Sequence, residues 1–208
     1  CITGTSPHQL ARIQMIYIDI QHIGKPNRTR DMGASIGDAP EQTEAYWTSL
    51  YAFHMEMNLR ALGYAVFRLS DGTYRSRHER VNLYEDTIGG DGLSVYIACH
   101  INAGGGRGSY GAMFYDYRST NGANLADAIS ETMQALPHLA TVKKIPADPS
   151  NWTRNAYHTI KGVTRPVAIC AEPFFIDNEL HQEYMTYDMI KLIGREMANG
   201  IHLWYTRQ

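Results

Sequence analysis

The chain has 208 residues, of which 44% are hydrophobic and 19% charged, with 19 Lys and Arg against 21 Asp and Glu. A chain of this length buries about 70% of its unfolded surface in one domain, so it needs neither disulfides nor a structural metal to fold. The formal net charge of −2 gives no general attraction for nucleic acid or an anionic membrane. No stretch reaches the roughly 18–20 apolar residues of a membrane span. We therefore expect neither a nucleic-acid partner nor a membrane span.

The cysteine and histidine counts exclude further classes of protein. Three Cys without a CxxC spacing argue against a disulfide framework and against a Cys-rich zinc finger, whereas nine His is an unusual number that needs an explanation. No repeat or Pro/Gly/Ser-rich linker divides the chain, so we predict one domain over residues 1–208. Residues 1–12 lack the basic start and apolar core of a signal peptide, and we expect them to form a leader or tail segment.

The first half of the chain is predicted to alternate between strands and helices. Ile13–Asp19 is rich in β-branched and aromatic residues, which is typical of a strand buried on both faces. After a polar loop, Thr43 is a suitable N-cap, and an apolar stripe predicts a helix that ends near Gly63. Tyr64–Leu69 is the next predicted strand, and the charged stretch Arg75–Asp86 favours a short exposed helix.

The second half continues this alternation. A glycine turn over Gly89–Gly92 precedes the apolar strand Leu93–Cys99. Two further strands are predicted over Tyr110–Asp116 and Pro166–Ala171, and two further helices over Asn121–Leu136 and Ile190–Trp204. Between the first of these helices and the last strand, residues 138–165 are predicted to be irregular. Buried strands that alternate with helices indicate a single α/β domain. We predict a mainly parallel, twisted sheet of about six strands with helices on both faces.

Ionisable side chains follow three of the predicted strands. His22, His100 and Glu172 come directly after strands, and Glu44 lies in the first turn of a helix. In open α/β sheets ligands bind beyond the carboxyl ends of the strands, and two His with one carboxylate suit catalytic zinc. A further carboxylate would act as general base. Each of these residues, taken alone, also has a purely structural interpretation. A His after a strand can form hydrogen bonds within its loop, and a carboxylate in the first turn of a helix, such as Glu44, interacts favourably with the helix dipole.

Four motifs in the right order resemble the zinc-dependent N-acetylmuramoyl-L-alanine amidases of bacterial cell-wall turnover and phage lysis. Asp19–Gly24 keeps the Asp, the His and the last Gly of the family's first motif, and Asp31–Ala34 ends in its Gly-Ala pair. Ala98–Ala103 resembles the motif that contains the second His. Pro166–Asn178 matches the last motif in order and spacing. The resemblance extends over almost the whole chain.

The resemblance implies a catalytic centre at the carboxyl ends of the strands. His22, Glu44 and His100 are its expected Zn²⁺ ligands, with Glu41 as the rival to Glu44. Glu172 is the expected general base and acid, acting on a zinc-activated water.

Five further residues are weaker candidates for supporting roles. We expect second-shell or substrate-binding functions for them, and packing explains the two aromatic residues equally well: Asp19, Asn102, Arg80, Trp152 and Tyr157.

The implied reaction is hydrolysis of the amide between N-acetylmuramic acid and L-alanine in peptidoglycan, whose glycan strand and stem peptide are the expected partners. The enzyme is expected to be a monomer that acts at the bacterial cell wall. A phage lysin or an excised catalytic domain suits the chain better than a complete exported autolysin. Two alternatives stay open: a zinc peptidase that cleaves another amide of the wall peptide, and an inactive wall-binding or virion structural domain.

Overall fold

The structure is a computed structural model that describes residues 14–22, 31–88, 93–136 and 141–208. The predicted leader or tail segment 1–12 and the predicted Gly89–Gly92 turn lie outside the described residues. No helix within these ranges is both long and apolar enough to cross a membrane.

The described residues form one α/β domain around a six-stranded sheet. The strands are β1 (Met15–Ile20), β2 (Ala65–Leu69), β3 (Val95–Cys99), β4 (Gly111–Asp116), β5 (Val142–Ala147) and β6 (Val167–Glu172). Their spatial order is β2-β1-β3-β6-β4-β5, and every neighbouring pair is parallel except β4 and β6. The predicted mainly parallel sheet of about six strands is confirmed.

Helices cover both faces of the sheet. They are α1 (Glu44–Ala61), α2 (Tyr74–Ile88), α3 (Thr120–Met133), α4 (Arg154–Ile160) and α5 (Tyr187–Thr206). Because side chains alternate along a strand, Ile18 and Ile97 face α1, α3 and α5, whereas Tyr17 and Tyr96 face α2 and α4. The larger core lies on the first of these faces.

Two sequence predictions are wrong in this fold. The segment 138–165 is not irregular throughout, since it contains β5 and α4. β5 is an edge strand whose alternation is blurred by two exposed lysines and a proline, which are usual on edges. The charged helix α2 is not simply exposed, because Arg77, His78 and Glu85 are buried on its inner face.

The sheet brings the predicted site residues to one edge. Ile20 at the end of β1 is in register with Cys99 at the end of β3, and Cys99 is in register with Ala171 of β6. The residues that follow these strands therefore leave the sheet side by side. β4 runs in the opposite direction, so its first residues lie at the same edge.

Candidate metal centre and active-site cleft

Three side chains converge at the carboxyl edge of the sheet. Nε2 of His22 lies 3.3 Å from Oε1 of Glu44 and 3.2 Å from Nδ1 of His100. His100 Nδ1 lies 2.9 Å from the same carboxylate oxygen. Each residue thus contributes one atom with a lone pair to a single small cluster. Glu41, the rival to Glu44, is exposed in a 3₁₀ helix over Pro40–Gln42 and does not join the cluster.

Glu44 is fixed by the turns on either side of it. Thr43 caps α1 by accepting a hydrogen bond from the backbone N–H of Tyr46, which places Glu44 in the first turn. The carboxylate accepts backbone N–H groups from Ala34, at 2.8 Å, and from Ile101, at 3.0 Å. Gly33 has a φ of 71°, and a Cβ there would come within 2.8 Å of the Glu44 carboxyl carbon. The Gly-Ala pair therefore closes over Glu44 because only glycine leaves room for it.

His22 is held in an unusual backbone conformation. Its φ of 61° makes it the only described non-glycine residue with a positive φ, a region that costs energy for most side chains. Its Nδ1 donates to Oδ1 of Asp31 at 2.9 Å, which leaves Nε2 free to face the cluster. Asp31 is therefore the partner that orients the imidazole, as is usual for metal-binding His. The sequence motif contains Asp31, but nothing in it indicates this contact.

Asp19 does not lie beside the candidate metal ligands, as a residue that orients them would. It is fully buried, and its carboxylate accepts hydrogen bonds from the Arg77 guanidinium, at 2.5 Å, and from the Tyr96 hydroxyl. Arg77 also donates to the carbonyl of Ile20, at 2.9 Å. Asp19 thus anchors the end of β1, three residues before His22, and does not contact the metal cluster. Its expected supporting role stays a prediction.

The cluster fits a metal ion. Zinc binds imidazole nitrogen and carboxylate oxygen at about 2.0–2.2 Å, so the ligand atoms of a tetrahedral site lie about 3.3 Å apart. The separations here are 2.9, 3.2 and 3.3 Å. Within the described ranges this is the one group of three or more His, Cys, Asp or Glu whose ligand atoms converge in this way. Two His and one carboxylate also match zinc sites that keep a fourth position open.

The two glutamates of the site have opposite electrostatics. Burial alone would raise the pKa of Glu44, but hydrogen bonds from His100 and His22, and their charges, outweigh it and lower that pKa far below its usual range. Burial and then the nearby charge of Glu44 raise the pKa of Glu172 to about 8. For His22, burial lowers the pKa, and the bonds and charges of Glu44 and Asp31 reverse this and raise it. Glu44 is therefore ionised and Glu172 protonated in the metal-free cleft at neutral pH.

A cleft of about 390 Å³ opens over the cluster. Its lining includes all four main candidates, Asn102 and several residues that sequence reasoning missed. The complete lining is His22, Ala34, Glu44, Tyr74, His100, Ile101, Asn102, Ala103, Asn155, Ala156, His158, Thr159 and Glu172. The missed residues lie at the start of α2 and on α4, and the prediction of an irregular segment hid the α4 wall. One of them, His158, is exposed in this wall.

Of the five weaker candidates only Asn102 lines the cleft, and Asp19, Arg80, Trp152 and Tyr157 lie outside its lining. Arg80 is exposed and forms an ion pair with Asp71 at 2.9 Å, about 9 Å along α2 from the cleft residue Tyr74. The buried arginine of this helix is Arg77, one turn closer to the cleft. Arg80 therefore lies away from the cleft, and its expected supporting role stays a prediction.

The two aromatic candidates make packing contacts. Trp152 is 69% exposed and meets Phe114 edge to face, with the ring centroids 6.0 Å apart. Tyr157 accepts a hydrogen bond from Arg118 at 3.3 Å and lies against Tyr117. Neither side chain lines the cleft, and their expected substrate-binding role stays a prediction.

The sequence matches the N-acetylmuramoyl-L-alanine amidase family over residues 16–202, which is nearly the whole chain. The protein therefore belongs to this family of cell-wall enzymes, as its motifs indicate. No curated protein matches the chain significantly.

Solved amidase structures share the fold. Cwp6 from Clostridium difficile is 23% identical with a TM-score of 0.66, and the match covers 91% of this chain but only 29% of that one. The CwlD amidase from Clostridioides difficile, solved in complex with the GerS lipoprotein, is 14% identical with a TM-score of 0.69 and coverages of 94% and 100%. AmiC2 of Nostoc punctiforme is 17% identical with a TM-score of 0.66 and coverages of 93% and 97%. The chain thus spans less than a third of Cwp6 and almost all of the other two.

Proposed function

We propose that this protein is a zinc-dependent hydrolase that cleaves the amide between N-acetylmuramic acid and L-alanine in peptidoglycan. His22, Glu44 and His100 hold the ion, and Glu172 is the general base and acid. Family membership supports the choice of scissile bond. The observation that carries the mechanism is the placement of a half-buried carboxyl group, Glu172, in the same cleft as a His-Glu-His cluster.

The ligand residues are prepared for a cation before it arrives. Glu44 is ionised, and backbone N–H groups on both sides fix its carboxylate. Asp31 fixes the ring of His22, so that its Nε2 atom points into the cluster. When bound, zinc supplies a Lewis acid that lowers the pKa of a water molecule and of nearby acids and polarises the amide carbonyl.

Glu172 is suited to moving the proton. Among the described residues, the only hydrogen-bond partner of its carboxyl group is the Cys170 thiol, with Sγ 4.0 Å from Oε1. Its oxygens are therefore available to water or substrate. Glu172 takes the proton of the attacking water and then donates it to the departing amine of L-alanine. In the metal-free cleft, burial and the charge of Glu44 raise the pKa of Glu172 to about 8. The charge of a bound cation would lower that pKa towards neutrality, which would allow Glu172 both to accept and to donate the proton.

The location of the proposed substrate determines where the enzyme acts. Peptidoglycan lies outside the cytoplasmic membrane, so the enzyme acts at the bacterial cell wall, either in wall turnover or as a lytic enzyme of the endolysin type. We propose that it does so as a monomer, because the ligands, the base and the cleft walls all come from one chain.

Product analysis tests this function. Purified peptidoglycan is digested with the protein loaded with Zn²⁺, with and without a chelator, and the fragments are identified by mass spectrometry. We expect release of stem peptides with a free N-terminal alanine and intact glycan strands, and loss of both products with the chelator. New amino termini within the stem peptide would instead identify a peptidase. No cleavage by the zinc-loaded protein would favour an inactive wall-binding domain.

A further inference from the structure

One wall of the active-site cleft has no part in the proposed metal centre. It is formed by α4, and its lining residues Asn155, Ala156, His158 and Thr159 are together called the α4 wall. Ala156 and Thr159 are buried, whereas Asn155 and His158 are exposed. A spacing of three positions places the last two side chains on one face of the helix, about 5–6 Å apart. Two polar groups therefore lie side by side in the cleft.

Both of these polar side chains are available to a ligand. Among the described residues, the side chains of Asn155 and His158 have no hydrogen-bond partner, and the His158 ring meets Tyr157 with the ring centroids 6.1 Å apart. No Lys or Arg is among the described residues that line the cleft. Outside the proposed metal ligands, His158 is therefore the one side chain of this lining that can carry a positive charge.

The α4 wall lies on the same side of the cleft as Glu172. Cys170 and Glu172 are two residues apart on β6, so their side chains leave the same face of the sheet, and Sγ of Cys170 lies 4.0 Å from Oε1 of Glu172. Cys170 is buried in one apolar cluster with Ala156 and Ile160 of α4. The helix therefore covers the face of β6 from which Glu172 extends into the cleft.

This placement indicates which half of the substrate meets the α4 wall. In the proposed reaction Glu172 donates a proton to the amine of L-alanine, so the departing stem peptide has to lie beside Glu172. An extended peptide advances about 3.3–3.6 Å per residue, so two side chains at the helical spacing of Asn155 and His158 can contact neighbouring groups of one peptide. An asparagine amide both donates to and accepts from a peptide bond. An imidazolium binds a carboxylate through a charge-assisted hydrogen bond, and the residue after L-alanine in a stem peptide offers such a group when it is D-glutamate.

We propose that the α4 wall binds the second residue of the stem peptide, with Asn155 on the peptide bond that follows L-alanine and His158 on the free carboxylate beyond it. This inference rests on the proposed function, because it takes Glu172 as the proton donor to the departing amine. Both residues determine specificity, since they contact the leaving peptide and not the bond that breaks. Their loss should therefore raise KM and leave kcat unchanged.

Two soluble substrates separate the two contacts. N-acetylmuramoyl-L-alanine methylamide has the second amide but no second residue, and N-acetylmuramoyl-L-alanyl-D-glutamate has both. With the zinc-loaded protein, we expect Asn155→Ala to raise KM about three- to tenfold on both substrates, and His158→Ala to do so on the dipeptide alone, as for one lost hydrogen bond. His158→Gln keeps a donor and should recover part of the loss. Arg154→Ala is the matched control, because Arg154 is an exposed residue of α4 outside the cleft lining.

A second measurement does not depend on activity. NMR titration with the leaving peptides measures the same contacts without hydrolysis. L-alanyl-D-glutamate should bind the zinc-loaded wild-type protein about three- to tenfold more tightly than it binds His158→Ala, whereas L-alanine methylamide should bind the two proteins equally. Arg154→Ala should match the wild-type protein with both peptides.

The outcomes separate the two proposals. If the wild-type protein cleaves neither substrate, the proposed function fails. If it cleaves both and His158→Ala leaves KM for the dipeptide unchanged, the assignment of the α4 wall is overturned while the function stands. A fall of kcat on both substrates in His158→Ala, or an equal rise of KM in Arg154→Ala, overturns that assignment as well.

Discussion

Glu44 and Glu172 are the same residue type in one cleft, yet their surroundings impose opposite charge states. Glu44 is surrounded by hydrogen-bond donors, namely two backbone N–H groups and two imidazoles. Gly33 leaves room for its carboxylate. Glu172 lies at the end of β6, where a thiol is its only hydrogen-bond partner among the described residues, and the charge of Glu44 is nearby. The first environment favours a carboxylate and the second a neutral acid. The difference teaches that hydrogen-bond donors, rather than burial, separate the proposed metal ligand from the proposed proton carrier.

Removal of the charge on Glu44 should have the largest effect. Glu44→Gln keeps the size of the side chain but weakens its affinity for a cation, so we expect zinc affinity to fall by more than about 100-fold and hydrolysis to fall to background. Zinc content after dialysis, measured by mass spectrometry, gives the result. Glu41→Gln is the matched control, because Glu41 is exposed and lies three residues earlier. Equal loss of zinc in both variants would contradict the ligand assignment.

The corresponding change at Glu172 should separate chemistry from metal binding. Glu172→Gln cannot accept or donate the proton, so we expect kcat to drop about 10²- to 10⁴-fold while one zinc ion per chain is retained. Kinetics on N-acetylmuramoyl-L-alanine and the zinc content of the same sample give the two values. A variant with undiminished kcat would remove Glu172 from the mechanism.

The smallest expected effect appears in the metal-free protein as its pH changes. Folding raises the pKa of Glu172 from 4.5 to about 8. The group therefore contributes stability that is complete below the lower value and is lost as the pH rises through the higher one. Relative to Glu172→Gln, the free energy of unfolding of the wild-type protein should fall on the order of 3 kcal/mol from about pH 5 to about pH 8. Urea unfolding in the presence of a chelator measures this free energy at each pH. If the free energies of unfolding of the two proteins change in parallel with pH, folding does not raise the pKa of Glu172.

Much of the fold follows from local sequence patterns. The apolar runs that end before His22, His100 and Glu172 predict three neighbouring strands, and their shared edge predicts a common site. β5 and α4 escaped prediction because an edge strand with lysines and a seven-residue helix have weak periodicity. The cleft wall that α4 forms was therefore not predicted from the sequence either.

Long-range polar contacts were the other part that the sequence did not reveal. The choice of Arg77 over Arg80 depends on which turn of α2 lies beneath the end of β1, and residue spacing alone does not determine this. The contact between Asp31 and His22 joins two residues nine positions apart, and residue spacing alone does not predict it. The ligand and base roles stay predictions, while the fold and the family are confirmed.

The spacing of the three converging residues has a consequence for how the protein matures. Glu44 and His100 are 56 positions apart, and His22 and His100 are 78 apart, so no short stretch of nascent chain contains the site. The ligand atoms meet only after β1 and β3 have paired and α1 has docked. An ion that enters the cluster binds the finished domain and not the unfolded chain, so it stabilises the native state by mass action. Metal uptake would then mark the last step of folding, and zinc content would report how much of a preparation has folded correctly.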